Sequence, residues 1–194
     1  MDISEIIKGL KGHGVDVVRE PDRYSFGDRE SCRYFFEQLF KNADLTIKEF
    51  KYLPEYEHVV QWMMDTKGTG LCLYGDCGRG KSTILTGVVP MLLYVKKKIL
   101  HPYQASEVPD KAKIICKEYA IIIDEVGTEI QANEWGEKYE GFNLIMDAAE
   151  SKMKMVFIST NLTRDQLIAR YGIRTWERIN RLCRVVPFKG GSLR

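Results

Sequence analysis

The sequence predicts an α/β fold with a central parallel sheet, and three observations carry that prediction. From Gly70 onward, short apolar runs alternate with stretches of helical apolar spacing, the pattern of parallel strands joined by crossover helices. The first apolar run, Gly70-Leu71-Cys72-Leu73-Tyr74, leads directly into Gly75-Asp76-Cys77-Gly78-Arg79-Gly80-Lys81-Ser82, a full match to G-x-x-x-x-G-K-[ST]. A later run, Tyr119 to Ile123, ends in two adjacent acids, Asp124 and Glu125.

Residues 1–48 read as a short N-terminal extension of helix and loop, broken early by Gly9, Gly12, Gly14 and Pro21. Within it, Ser31 to Phe40 is amphipathic, with Tyr34, Phe35, Leu39 and Phe40 on one side. Residues 49–194 read as one domain. Its opening stretch, 49–65, is rich in aromatics (Phe50, Tyr52, Tyr56, Trp62) that complete the core or pack beside a bound ligand. Strands are expected at 70–75, 98–104, 119–124, 154–160 and 184–188. Helices are expected at 81–95, 110–117, 136–152, 163–171 and 173–183, with Pro90 kinking or shortening the first.

Each fixed position of the glycine loop has a physical task. Its glycines let the backbone curl so that successive N–H groups point at an anion, and Lys81 brings a point charge to the β- and γ-phosphates. The Ser82 hydroxyl can ligate Mg²⁺. Strand, glycine loop and helix in this order aim a helix N-terminus at a phosphate. A nucleoside triphosphate is therefore the expected ligand, held by Gly75, Asp76, Cys77, Gly78, Arg79, Gly80, Lys81, Ser82 and Thr83.

A buried parallel strand explains the apolar run before Asp124 but not two carboxylates at its C-terminal edge, where open α/β sheets bind ligands. Asp124 can hold Mg²⁺, directly or through water, beside Ser82. Glu125 can orient and deprotonate a water that attacks the γ-phosphate. The bland alternative is a pair of solvated acids at a loop start. Asn161 closes Met155 to Asn161, an apolar strand ending in polar residues, and can hydrogen-bond the γ-phosphate or the attacking water; alternatively Asn161 or Thr163 caps the helix opening at Arg164. Arg174 and Arg178 lie four apart on one helix face, and an arginine donated to a neighbour's γ-phosphate stabilises transition-state charge. Arg194, after Gly190-Gly191-Ser192-Leu193, can fold back toward its own nucleotide. Surface salt bridging is the alternative for all three arginines.

Composition narrows the class. The 194 residues carry 44% hydrophobic and 29% charged side chains, ordinary for a globular chain with a core. No apolar run is long enough to cross a bilayer, and Met1-Asp2-Ile3-Ser4-Glu5 lacks a signal-peptide pattern, so a cytoplasmic location is expected. Five scattered cysteines with no C-x-x-C pair suggest neither a zinc site nor a disulfide framework. Net charge is only +2, but from Arg164 onward eight basic residues face only Asp165 and Glu177, a basic tail suited to phosphate of nucleotide or nucleic acid.

Taken together, Gly75–Ser82, Ile121–Glu125, Ser159–Asn161, the Tyr171–Arg178 run and the closing Gly-x-Ser-x-Arg run of 190–194 resemble an AAA+ ATPase, more narrowly the DnaC/IstB family of helicase loaders and transposition helper ATPases. The resemblance spans roughly residues 50–194. It implies a three-layer P-loop NTPase fold without a C-terminal lid domain, Asn161 as the sensor-1 residue, Arg178 as a trans-acting arginine finger and Arg194 as the sensor-2 arginine. The implied function is an ATP-hydrolysing, Mg²⁺-dependent protein that self-assembles in the ATP state on single-stranded DNA and assists a replicative helicase. A transposition helper would use the same machinery with a transposase as partner. A small-molecule kinase and a nucleotide-gated binding module with negligible turnover are the readings from other classes. The Asp124–Glu125 pair speaks against the kinase, which should exclude activated water. With no aromatic and basic stacking platform evident, DNA binding is expected to rest on phosphate contacts and to weaken steeply with salt.

Overall fold

The computed structural model describes residues 2–15, 21–47, 49–129, 132–134, 137–139 and 141–192. Three helices come first: α1 (Ile3–Gly12), α2 (Arg29–Ala43) and α3 (Tyr56–Met64). Then follow β1 (Gly70–Gly75) and α4, a continuous helix over 81–94 built from Lys81–Thr83, a π-helical turn Ile84–Val88 and Val89–Tyr94. Next come β2 (Pro102–Gln104), a 3₁₀ turn Ala105–Glu107, α5 (Val108–Ile115) and β3 (Ile121–Asp124). A small hairpin, β4 (Ala132–Glu134) and β5 (Glu137–Tyr139), precedes α6 (Gly141–Ser151) and β6 (Val156–Thr160). The chain continues through α7 (Arg164–Tyr171), α8 (Ile173–Leu182) and β7 (Cys183–Phe188).

The main sheet has the order β2-β3-β6-β1-β7, with every neighbouring pair parallel. Parallel strands need crossover connections, and the intervening helices supply them on both faces. Side chains alternate across the pleat, so Leu71, Leu73, Ile122, Phe157 and Val186 face one core with α2, α3 and α4. Cys72, Ile121, Ile123, Val156 and Ile158 face the other, with α5, α6, α7 and α8. The result is the expected three-layer α/β arrangement, and no helix follows β7 among the described residues. Burying each large apolar side chain such as Leu73 or Phe157 contributes about 1.5–3 kcal/mol.

Several elements differ from expectation for local reasons. Gly9 does not interrupt α1, which runs from the Asp2 cap to Gly12. Residues 29–43, expected within the extension ending at 48, place Cys32, Phe36 and Phe40 in the same core as β1. Pro90 neither ends nor shortens α4. A proline inside a helix presses on the carbonyl four residues back, here that of Thr86. In the π-turn just before it, the Val89 N–H reaches the Ile84 carbonyl, and the Thr86 hydroxyl donates to the Ser82 carbonyl at 2.8 Å. The strand expected at 98–104 shrinks to Pro102–Gln104. The helix expected from 136 begins only at Gly141, because the preceding residues pair as the β4–β5 hairpin. Among the described residues no helix is long and apolar enough to cross a membrane.

Candidate nucleotide-binding site

Parallel pairing aligns the strand ends. Tyr74 of β1 sits opposite Thr160 of β6 and Pro187 of β7, so the glycine loop leaves the sheet between the segments that follow those strands. Gly75 has a φ of 116°, and a Cβ there would drive into the Phe188 carbonyl. Gly80, at φ 84°, is the residue before α4; its Cβ would lie 2.6 Å from the Phe40 ring and 2.8 Å from the Tyr56 hydroxyl. The curl of the loop thus depends on glycine for both backbone angle and space.

Lys81 is buried at the start of α4. Its Nζ donates to the Gly75 carbonyl at 2.9 Å, the Asp76 carbonyl at 2.7 Å and Asn161 Oδ1 at 2.9 Å. Burial lowers its pKa; the charges of Cys77, Asp76, Asp124 and Glu125 oppose that shift. Ser82 and Thr83 follow on the first turn of α4, both half-buried. The helix cap considered for Asn161 belongs to Thr163, whose side chain and that of Gln166 form a reciprocal capping box. This leaves the Asn161 side chain to Lys81.

Asp124 ends β3 in a buried position, where Ser159 Oγ donates to its Oδ1. The same hydroxyl accepts the Glu125 N–H at 2.9 Å, so one side chain joins the ends of β3 and β6. Glu125 is exposed and adopts a φ of 61°. For a residue with a side chain, that conformation costs on the order of 1–3 kcal/mol. Lys81, Asn161, Asp124 and Glu125, read separately along the chain, therefore meet at one sheet edge. Ser159, named in the sequence only as part of the Ser159–Asn161 run, was given no role there; its signal was a hydroxyl at the polar end of a buried strand.

The loop's other side chains diverge. Arg79 turns away from the loop interior: Nε donates to Glu55 Oε1 at 2.5 Å and Nη1 to the Gly191 carbonyl at 2.9 Å. Both members of that ion pair are more than nine-tenths buried. Asp76 accepts the Gly190 N–H at 2.7 Å, and a Cβ on Gly78 would collide with the Ser192 side chain, so the C-terminal segment lies across the loop. Cys77 is exposed. Arg194 lies outside the described residues.

A cavity of about 930 Å³ opens beside Gly80 and Thr83, walled by Phe40, Phe50, Tyr52 and Tyr56. Tyr56 and Trp62 are core residues, Phe50 and Tyr52 are partly buried against that core, and Phe50, Tyr52 and Tyr56 all line this cavity. Tyr56 also donates its hydroxyl to the Arg79 carbonyl at 3.1 Å, and burial pushes its pKa up.

Arg178 sits on the far helical layer. Its guanidinium pairs with Asp147 at 2.6 Å and Glu150 at 2.9 Å, and Glu150 also takes Arg181 at 2.7 Å. The Arg178 hydrogen bond holds the Glu150 carboxyl below the usual carboxylate range. Arg174 is exposed and has no ion pair among the described residues; with Glu177, Arg178 and Arg181 it borders a surface cavity of about 470 Å³. The structure therefore does not bring Arg178 into its own chain's nucleotide site.

No family model and no curated protein matches the chain. Solved structures do. A crystal structure of the DnaC helicase loader superposes with a TM-score of 0.59 at 16% identity, over 77% of this chain and 98% of that one. A candidate primosome component from Streptococcus pyogenes serotype M3 superposes with a TM-score of 0.50 at 17% identity, over 84% of this chain and 83% of that one. The chain thus shares the P-loop NTPase fold of the DnaC helicase loader, the fold to which its motifs point.

Proposed function

We propose that this chain is an ATPase of the helicase-loader type, which binds Mg·ATP, self-assembles on single-stranded DNA in the ATP state and assists a replicative helicase. The observation that carries the reading is the meeting of Lys81 and Asn161 at 2.9 Å beside the Ser159-bound Asp124, on a fold shared with a DnaC helicase loader.

The residues fit the ligand chemically. Lys81 holds its ammonium against two loop carbonyls and an amide oxygen, all neutral acceptors that a phosphate can displace. The aromatic-walled cavity beside Gly80 suits the base. A hydroxyl and a carboxylate, Ser82 and Asp124, are the oxygen donors a hard cation takes, and Mg²⁺ bound there would neutralise phosphate charge. Glu125 takes the proton of the attacking water, Asn161 fixes that water or the γ-phosphate, and Arg178 of a neighbouring subunit meets the developing charge. Arg194 is assigned a contact to its own nucleotide. DNA binding rests on phosphate contacts and weakens steeply with salt.

The test is capture with the tagged Glu125→Gln protein from its source-cell lysate in ATP and Mg²⁺, alongside ATP turnover by the wild-type protein with and without single-stranded DNA and with small-molecule phosphate acceptors. Recovery of a replicative helicase and DNA-stimulated turnover support the reading. A transposase in its place moves the chain to the transposition helpers. Phosphate transfer to a small acceptor, independent of DNA, replaces it with a kinase.

A further inference from the structure

The turn that leaves β3 carries Glu125 and is tied down at nearly every polar group. The Glu125 N–H donates to Ser159 Oγ at 2.9 Å, and its carbonyl accepts the Thr128 N–H at 3.2 Å and hydroxyl at 2.9 Å. Val126 donates to the Ser159 carbonyl at 2.8 Å and accepts the Thr160 hydroxyl at 2.5 Å. These contacts come from the neighbouring strand and from the turn itself. The remaining ones are made by Glu129 and by the end of α7.

The Gly127 N–H donates to Glu129 Oε2 at 2.7 Å, and the Gly127 carbonyl accepts Arg170 Nη1 at 2.6 Å. The other Arg170 nitrogen, Nη2, donates to the Glu129 carbonyl, and Tyr171 donates its hydroxyl to Glu129 Oε1. Glu129 and Tyr171 are buried, and Arg170 Nε is buried with no acceptor among the described residues. Burying a carboxylate is unfavourable unless donors surround it, and leaving a guanidinium N–H unpaired adds to that cost. A turn that only had to connect β3 to the hairpin needs neither. A left-handed Glu125, by contrast, persists only where its surroundings over-determine it.

We infer that Glu129, Tyr171 and Arg170 are positioning residues: a clamp that holds the Glu125 turn in its left-handed form and couples it to the helix carrying Arg178. Arg170 and Tyr171 are the last residues of α7, and Gly172 alone separates them from α8. The clamp therefore ends one residue before the helix that carries Arg178. The catalytic half of the inference rests on the reading of Glu125 as the base.

The experiment uses the full chain carrying Tyr171→Phe, which keeps the ring and removes the hydroxyl. Amide hydrogen exchange over 125–129 should quicken about tenfold or more while β3 amides stay unchanged. Turnover should fall about tenfold to a hundredfold with ATP affinity held within about twofold. In a Glu125→Gln background the same change should cause no further loss, because a residue acting through Glu125 has nothing left to position. Unchanged exchange over 125–129 overturns the clamp, whatever turnover does. An equal fractional loss of turnover in both backgrounds overturns the coupling to Glu125. Wild-type protein with no turnover removes the base reading instead, and exchange still decides the clamp. Should Tyr171→Phe not fold, Arg170→Lys, which keeps the charge but not the two-pronged contact, is measured the same way.

Discussion

Lys81 and Asn161 are in direct contact although 80 residues apart in sequence, the lysine Nζ donating to Asn161 Oδ1 at 2.9 Å. The contact exists because β1 pairs with β6, which sets the residues that follow each strand side by side. The proposed phosphate cation and the proposed sensing amide are thus directly hydrogen-bonded to one another. Asn161→Ala should lower ATP turnover about tenfold to a hundredfold while changing affinity far less. Asn161→Asp should instead weaken ATP binding, since a carboxylate there both neutralises Lys81 and repels phosphate. Titration of a fluorescent ATP analogue beside steady-state phosphate release separates the two effects.

Glu125→Gln keeps the shape and removes the proposed base. Turnover should drop about 10²–10⁴-fold with ATP still bound, whereas Lys81→Ala should abolish binding. Normal turnover by the Glu125→Gln protein would rule out this residue as the base.

Arg178 is tied within its own chain to Asp147 and Glu150, so a role in trans requires release from them. Arg178→Ala should lose turnover only under conditions of assembly. Mixing it with Glu125→Gln should restore activity, because the first supplies an intact site and the second an intact arginine. Mixtures no more active than their components would exclude donation across a subunit contact.

The buried Glu55–Arg79 pair ties the aromatic segment to the glycine loop, and Arg79 also reaches the C-terminal segment. Removing one partner strands a buried charge, so Glu55→Gln should lower unfolding free energy by about 3–5 kcal/mol. ATP affinity should fall with it, since Arg79 also anchors Gly191 over the loop. Denaturant unfolding and ATP titration of the same variant check both.

Asp65 provides a handle on acid stability. The hydrogen bond from Arg23 is the main cause that lowers its pKa to about 2. A depressed carboxylate stabilises the fold above its unfolded value and loses that contribution as pH falls through the folded value. The melting-temperature gap between wild type and Arg23→Ala should hold near neutrality and close between about pH 4 and pH 2. A gap that widens on acidification would contradict the pairing.

The glycine loop was legible because its geometry is local: consecutive residues must curl tightly, and at Gly75 and Gly80 only glycine permits it. The apolar strand before Asp124 and Glu125 was legible for the same reason. Arg79 was not, because nothing in 75–83 says that its side chain leaves the loop for Glu55. Glu129 and Tyr171 lie 42 residues apart and carry no motif, so their contact could not be read along the chain. The β4–β5 hairpin was missed because its short segments show no strand alternation.

From the sequence alone follow the α/β class, the glycine loop and the identities of Lys81, Asp124, Glu125 and Asn161 as residues bound for one site. Periodicity and local backbone chemistry encode such things directly. Only the tertiary structure decided that Asn161 faces Lys81, that Ser159 joins Asp124 to Glu125, and that Arg178 rests among its own chain's acids. Those contacts depend on strand order and helix packing, and neighbours in space made by pairing distant strands leave no spacing to read.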